Sequence, residues 1–314
     1  MKPIHQRQFF GLLLRGTTVI GAGSTIHCVS PVFAGIAEQT ASRKKLNLKL
    51  RHRLETREGS GQYRVVEKNT KWDPSETALI ICDMWDQHWC KGASARVAEL
   101  APRMNDFVSE ARKRGVLIVH APSSCMEPYQ NHPGRKRAQA APKAANLPDD
   151  IKDWCRKIPA EEKGKYPIDQ TDGGCDCEPK CQTGSPWKRQ FAAIRVSDED
   201  TISDSGIEIW NLLEQRGIKN VMLVGVHTNM CVLGRPFGLR QMARHGKNTA
   251  LVRDLTDTMY NSKAWPYVNH FAGTDLIVEH IEKYVCPTTT SVSLLGGTPF
   301  RFKEDRRTQV AQKR

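Results

Sequence analysis

Four short, almost unbroken apolar runs recur along this chain: Thr77–Cys82, Val116–His120, Val221–Val224 and Thr249–Val252. Runs of that length without polar alternation suit strands buried on both faces. After the first, Val97, Leu100, Met104, Phe107, Val108 and Ala111 fall at helical spacing and predict an amphipathic helix ending near Gly115. A crossover of that length implies a parallel strand pair. Phe191–Val196 predicts a further strand. Asp204 or Ser205 predicts the cap of a helix through Ile209, Leu212 and Leu213, stopped by Gly217. Asp275–Tyr284 predicts a last helix. Together these predict an α/β fold: a doubly wound, mostly parallel sheet with helices on both faces.

The rhythm breaks over residues 121–190, which are proline-rich, carry Arg135-Lys136-Arg137 and a cysteine cluster, and read as helical only over Ile151–Ile158. So long an irregular stretch is expected to be a lid, a binding loop or a disulfide-held insertion. The expected organisation is an export signal over 1–34, a basic N-terminal arm over 35–75, a main domain over 76–290 containing the 121–190 insertion, and a basic tail over 291–314.

The net charge of +13 invites a polyanion partner, so its location matters. Residues 1–34 contribute +3, 35–58 contribute +4 and 301–314 contribute +4, leaving +2 for 59–300. Charge confined to the ends reads as solvated tails, and no nucleic-acid partner is expected. No segment beyond the N-terminus approaches the ~20 apolar residues of a membrane span.

Lys2 and Arg7 precede Phe9-Phe10-Gly11-Leu12-Leu13-Leu14, and Val32-Phe33-Ala34 offers small residues to a signal peptidase. Cleavage after Ala34, or alternatively Ala37, gives an exported protein, periplasmic or secreted; a disordered arm is the competing reading. Gln6-Arg7-Gln8-Phe9-Phe10 resembles a twin-arginine signal lacking one arginine, which leaves the export route open. Of ten cysteines, Cys28 leaves with the signal. Nine in an oxidising compartment leave at least one free thiol, for which Cys231 is the candidate. Cys175, Cys177 and Cys181 form a C-x-C-x3-C cluster with Cys155 upstream. That spacing departs from common zinc patterns, so disulfides pinning the loop are expected, with a metal or redox site as the alternative.

The chemistry concentrates in Gly225-Val226-His227-Thr228-Asn229-Met230-Cys231, just past an apolar run. A cysteine where a buried strand turns into a helix meets unpaired N–H groups and a positive dipole end, which favour a thiolate and an oxyanion. Asp83 ends the first apolar run. If the two strands are neighbours, both side chains emerge at one edge, where the carboxylate takes the thiol proton and returns it to a leaving group. Singly, Cys231 also reads as a small buried hydrophobe and Asp83 as a turn residue.

Leu79-Ile80-Ile81-Cys82-Asp83-Met84-Trp85-Asp86 resembles the opening signature of the isochorismatase-like cysteine hydrolases, which include nicotinamidases. Gly225 to Val232 resembles their G-x-x-T-x-x-C-V signature, and Arg253-Asp254 resembles a further recurring feature. The resemblance spans roughly 75–285 without the insertion. It implies a Cys–Asp–Lys triad with Cys231 as nucleophile and Asp83 as base, then acid. The family lysine's position falls on Arg195: either Arg195 substitutes, or Lys188 reaches in, or the triad is broken. The resemblance also implies an oxyanion site at the N–H groups of Cys231 and His227, a cis Val226–His227 peptide, and a pocket drawing on His227, Thr228, Asn229 and Trp85, with Trp89 nearby. Arg235 is expected to pair with an acidic substrate group or with Asp83. The nicotinamidase metal spacing is missing around Asp86, His88 and His120, so no metal and no cofactor are expected.

The implied function is an exported cysteine hydrolase that cleaves a small-molecule amide, or a related C–N or ester bond, through a thioester on Cys231. The alternative is an inactive member binding a ligand or partner in the same cleft. A small-molecule substrate is the expected partner, and members of that family often associate into oligomers.

Overall fold

The computed structural model describes residues 44–307. The export signal and its two cleavage sites lie outside them. The strands are β1 (Leu46–Glu55), β2 (Tyr63–Trp72), β3 (Thr77–Cys82), β4 (Leu117–Ala121), β5 (Thr201–Ile202), β6 (Asn220–Val226), β7 (Asn248–Asp257) and β8 (Thr288–Thr289). The helices are α1 (Lys91–Arg114), α2 (Pro133–Gln139), α3 (Gly206–Gln215), α4 (Leu239–Arg244), α5 (His270–Tyr284) and α6 (Val292–Leu295). Among the described residues the strands order as β2-β1-β8-β7-β6-β3-β4-β5. From β8 to β5 all pairs are parallel, and β1 and β2 add an antiparallel edge. The doubly wound α/β expectation holds.

Alternation along β3 sets the two layers. Ala78, Ile80 and Cys82 join a core with α3, α4 and α5, through residues such as Leu212, Met242 and Ile277. Leu79 and Ile81 face the other way, onto Leu100, Met104 and Phe107 of α1. α1 ends as its sequence demands: Gly115 adopts φ 89° and donates back to Ala111 and Arg112. Ser205 caps α3. Chain order runs outward from β3 through β4 to β5, then returns to β6 on its other side. The carboxyl ends of β3 and β6 therefore flank the topological switch point, where open α/β sheets form their crevice.

Several expectations need correction. Residues 46–72 are not an arm but the β1–β2 hairpin, with Leu46, Leu48 and Leu50 buried in the α1-side core. Much of the tail packs too: Asp254 accepts the N–H groups of Ser291 and Phe300, and Phe300 and Phe302 lie on the core. Phe191–Val196 is no strand; Phe191 donates to Met84 and Ile194 to Phe191 across a turn. Ile151–Ile158 is turn and loop rather than helix. Arg253-Asp254 lies inside β7, at the irregularity between its pairings with Leu223 and Gly225, rather than at the strand end. No helix among the described residues is long and apolar enough to cross a membrane.

Candidate active site

β3 and β6 pair until Cys82 stands opposite Gly225. A Cβ on Gly225 would meet the Cys82 carbonyl oxygen at 2.0 Å, and its φ is +112°, so only glycine lets the strand ends approach this closely. Immediately beyond, Asp83 is fully buried with φ 47°. A left-handed conformation at a non-glycine residue is uncommon, and here it turns the carboxylate into the crevice. Past β6, the Val226–His227 peptide is cis, as the resemblance implied. A π-helical turn over Thr228–Val232 follows, with Val232 donating to the His227 carbonyl at 3.2 Å. Such turns recur at functional sites because they re-aim a side chain.

The Asp83 carboxylate is fully engaged. Oδ1 accepts the Ser123 N–H at 2.9 Å and Oδ2 accepts Arg235 Nε at 3.0 Å, and the Cys231 sulfur adjoins the same carboxylate. Arg235 reaches it because it lies one turn beyond the cysteine, its N–H on the Cys231 carbonyl at 3.0 Å. Its guanidinium also rests 4.7 Å from the Trp154 ring centroid. Burial pushes the Asp83 carboxyl up, while Arg235, Ser123 and Cys231 pull it back.

The thiol departs from expectation. Burial and then the Asp83 charge push Cys231 well above an ordinary cysteine, against weaker help from Arg235 and the His227 N–H. A five-residue π turn carries too little aligned dipole to outweigh an adjacent carboxylate. The resting sulfur beside Asp83 is therefore a thiol rather than a free thiolate. The His227 N–H is turned toward the sulfur and opposes part of that rise.

Arg195 does not join this group. Its side chain is exposed, its N–H donates to Asn105 and its carbonyl accepts from Arg112. With no strand over 191–196, nothing carries it to the crevice. Lys188 is also exposed, its N–H bound to Asp86. Arg235 holds the position beside the carboxylate.

The remaining candidates divide. Trp85 is buried, donates to the Ser123 carbonyl at 3.0 Å and stacks on Trp187 of the insertion at 4.4 Å. His227 is buried, and its Nε2 has no hydrogen-bond partner. Burial and then His88, whose ring lies 4.8 Å away edge-on, push it below an ordinary histidine, so it stays neutral. Thr228 instead ties the turn to β7, through Thr256 and the Asp257 carbonyl. Asn229 accepts from Met259 and donates to Gln170, which holds the insertion. Neither side chain is free for an oxyanion. Behind the turn lies a cavity of about 500 Å³ walled by Trp154, Tyr166, Glu161, Arg240, Met230 and His280; its walls do not include Asp83 or Cys231.

A nicotinamidase-type metal set does not fit these residues. His120 is locked between Gln190 and Asp200, His88 Nδ1 accepts the Cys90 N–H, and Asp86 takes the backbone of Lys188 and Arg189. The expected disulfides are absent as well: every cysteine among the described residues is a free thiol. Cys155 lies apart, donating toward the Lys157 carbonyl, while Cys90, overlooked in the sequence, joins Cys175 and Cys177.

No protein-family model matches the chain, and no curated protein matches it. Similar solved structures include a cysteine hydrolase from Pseudomonas syringae pv. phaseolicola, at 16% identity over 71% of this chain and 93% of that one, with TM-score 0.44. An isochorismatase from Pseudomonas putida matches at 12% identity over 71% and 92%, with TM-score 0.43. The N-carbamoylsarcosine amidase of Thermoplasma acidophilum matches at 12% over 69% and 96%, with TM-score 0.37. Isochorismatase-family and cysteine-hydrolase proteins thus recur among the solved structures this chain is similar to, all at low identity.

Proposed function

We propose that this protein is a cysteine hydrolase acting on a small-molecule amide, or a related C–N or ester bond. The observation that carries this reading is the meeting of Cys231, Asp83 and Arg235 at the switch point of the sheet. In the proposed reaction Asp83 takes the thiol proton as the Cys231 sulfur attacks the carbonyl carbon. The oxyanion is held by the His227 and Cys231 N–H groups. Asp83 then protonates the departing amine or alcohol, leaving a thioester on Cys231. Water, deprotonated by Asp83, cleaves the thioester and frees the acid. Arg235 keeps Asp83 ionised by charge alone, since a guanidinium does not give up its proton. The unpartnered His227 Nε2 is available to a polar substrate group.

The competing reading, a protein that binds a ligand in this cleft without turning it over, draws on the burial of Cys231, a residue 7% exposed. Acid-quenched incubation with 4-nitrophenyl acetate and a panel of small amides and carbamoyl compounds separates the two. The hydrolase reading expects an acyl group on the Cys231 peptide by mass spectrometry. It also expects a rate loss of about 10²–10⁴ in Asp83→Asn. Unchanged hydrolysis in Cys231→Ala contradicts it, and thermal stabilisation by a panel member with no turnover favours the binding reading. Export remains part of the proposal, and N-terminal sequencing of protein recovered outside the cytoplasm tests for cleavage after Ala34 or Ala37.

A further inference from the structure

Cys90 caps α1, and Cys175, Cys177 and Cys181 come from the insertion. The Cys90 and Cys177 sulfurs are 3.8 Å apart, and those of Cys90, Cys175 and Cys177 all lie within 4.8 Å of one another. The Cys181 sulfur lies outside that group of three but beside it, accepting the Lys91 N–H next to the Gly92 N–H that binds Cys177. A disulfide requires sulfurs at about 2.05 Å. Four thiolates at about 2.3 Å from one tetrahedral zinc ion stand about 3.8 Å apart.

The surroundings are those of a thiolate cage. The Gly92 N–H donates to Cys177 at 3.2 Å and that of Lys91 to Cys181 at 3.5 Å. Such N–H donors disperse thiolate charge and fix each sulfur's direction. The α1 N-terminus adds favourable dipole. Trp89, Ala93 and Met259 wall the cluster with apolar surface. The backbone is shaped to fit: a Cβ on Gly174 would meet the Met259 carbonyl oxygen at 2.4 Å.

We infer that Cys90, Cys175, Cys177 and Cys181 bind one zinc ion as a closed tetrathiolate site that fastens the insertion to the loop between β3 and α1. With four sulfur donors and no open position, the site is structural. Its placement gives it a second role in shaping the cleft. His88, two residues before Cys90, abuts His227, and Asp176, between two ligands, bonds Arg96, which also bonds Asp257 beneath the Thr228 turn.

The inference is independent of the hydrolase proposal and is tested without an activity. Untagged full-length protein, purified without chelator, is expected to hold one zinc per chain by elemental analysis. Its zinc X-ray absorption should report four sulfurs at about 2.3 Å. Replacement by cobalt(II) should give sulfur-to-metal charge transfer and the intense visible bands of a tetrahedral ion. Cys177→Ser is expected to lose most of the zinc, whereas Cys155→Ser keeps it. Nitrogen or oxygen ligands at the zinc overturn the inference, as does metal-free protein whose four cysteines map as two disulfides by non-reducing peptide mass. The visible colour of an iron tetrathiolate in the purified protein overturns the zinc assignment.

Discussion

At the residue scale, the question is what sets the charge of one buried carboxyl beside a thiol. Burial alone would protonate Asp83, and Arg235 opposes that with a charge that never titrates. Arg235→Gln is therefore expected to raise the Asp83 pKa further, shifting the acid limb of kcat/KM to higher pH by roughly 1–3 units. An unmoved acid limb would show that Arg235 does not tune the base. The meeting of Cys231 and Asp83 was legible in the sequence because each follows an apolar run whose end defines a place. Arg195 failed because its placement needed a strand over 191–196, and that segment turns under Met84 instead. The cation that does bond Asp83 was marked by a different signal, the four-residue step from Cys231 to Arg235, which puts both on one side of a single turn. Cys90 was hidden because its partners are 85 residues or more downstream, a distance no local spacing rule spans.

At the element scale, the close approach of β3 and β6 and the anchoring of the insertion each rest on few groups. Gly225→Ala drives a Cβ into the Cys82 carbonyl at a backbone angle that L side chains rarely adopt. It is expected to cost about 2–4 kcal/mol by urea unfolding; a loss under about 0.5 kcal/mol would mean the strand ends are looser than described. In the insertion, Glu161 is buried against Arg240 at 2.7 Å and His280 at 2.8 Å. Burial disfavours its charge, yet these partners hold the carboxyl down at about 2. Glu161→Ala strands a buried guanidinium and should cost about 3–5 kcal/mol, read from the same unfolding curves. The β1–β2 hairpin also carried a sequence signal, the alternation Leu46-Asn47-Leu48-Lys49-Leu50. The composition around it obscured that signal, because an edge strand with one solvated face is rich in charge by necessity.

At the scale of the whole molecule, a single ionic knot joins sheet, α5, α1 and insertion. His270 bonds Asp257 at 3.0 Å and Asp176 at 3.1 Å, and Arg96 bonds the same two carboxylates. Burial opposes the His270 charge, but the Asp176 and Asp257 carboxylates outweigh it and raise its pKa to about 9. A histidine raised in the folded state stabilises fully below its unfolded value near 6.5 and loses that contribution as pH rises toward 9. Thermal midpoints of the wild type are expected to fall across that window more steeply than those of His270→Gln. Parallel curves would remove His270 from the account. This knot had no local sequence signature, since its four residues come from four separate segments and meet only after the sheet has formed.

The central claim, that Asp83 and Cys231 act as one unit, is tested most directly by iodoacetamide alkylation of Cys231 against pH, followed by peptide mass in the wild type and in Asp83→Asn. The account predicts a wild-type half-rate pH well above that of an ordinary thiol, and a fall of roughly 1–3 units once the carboxylate charge is removed. Superimposable profiles for the two proteins would contradict it.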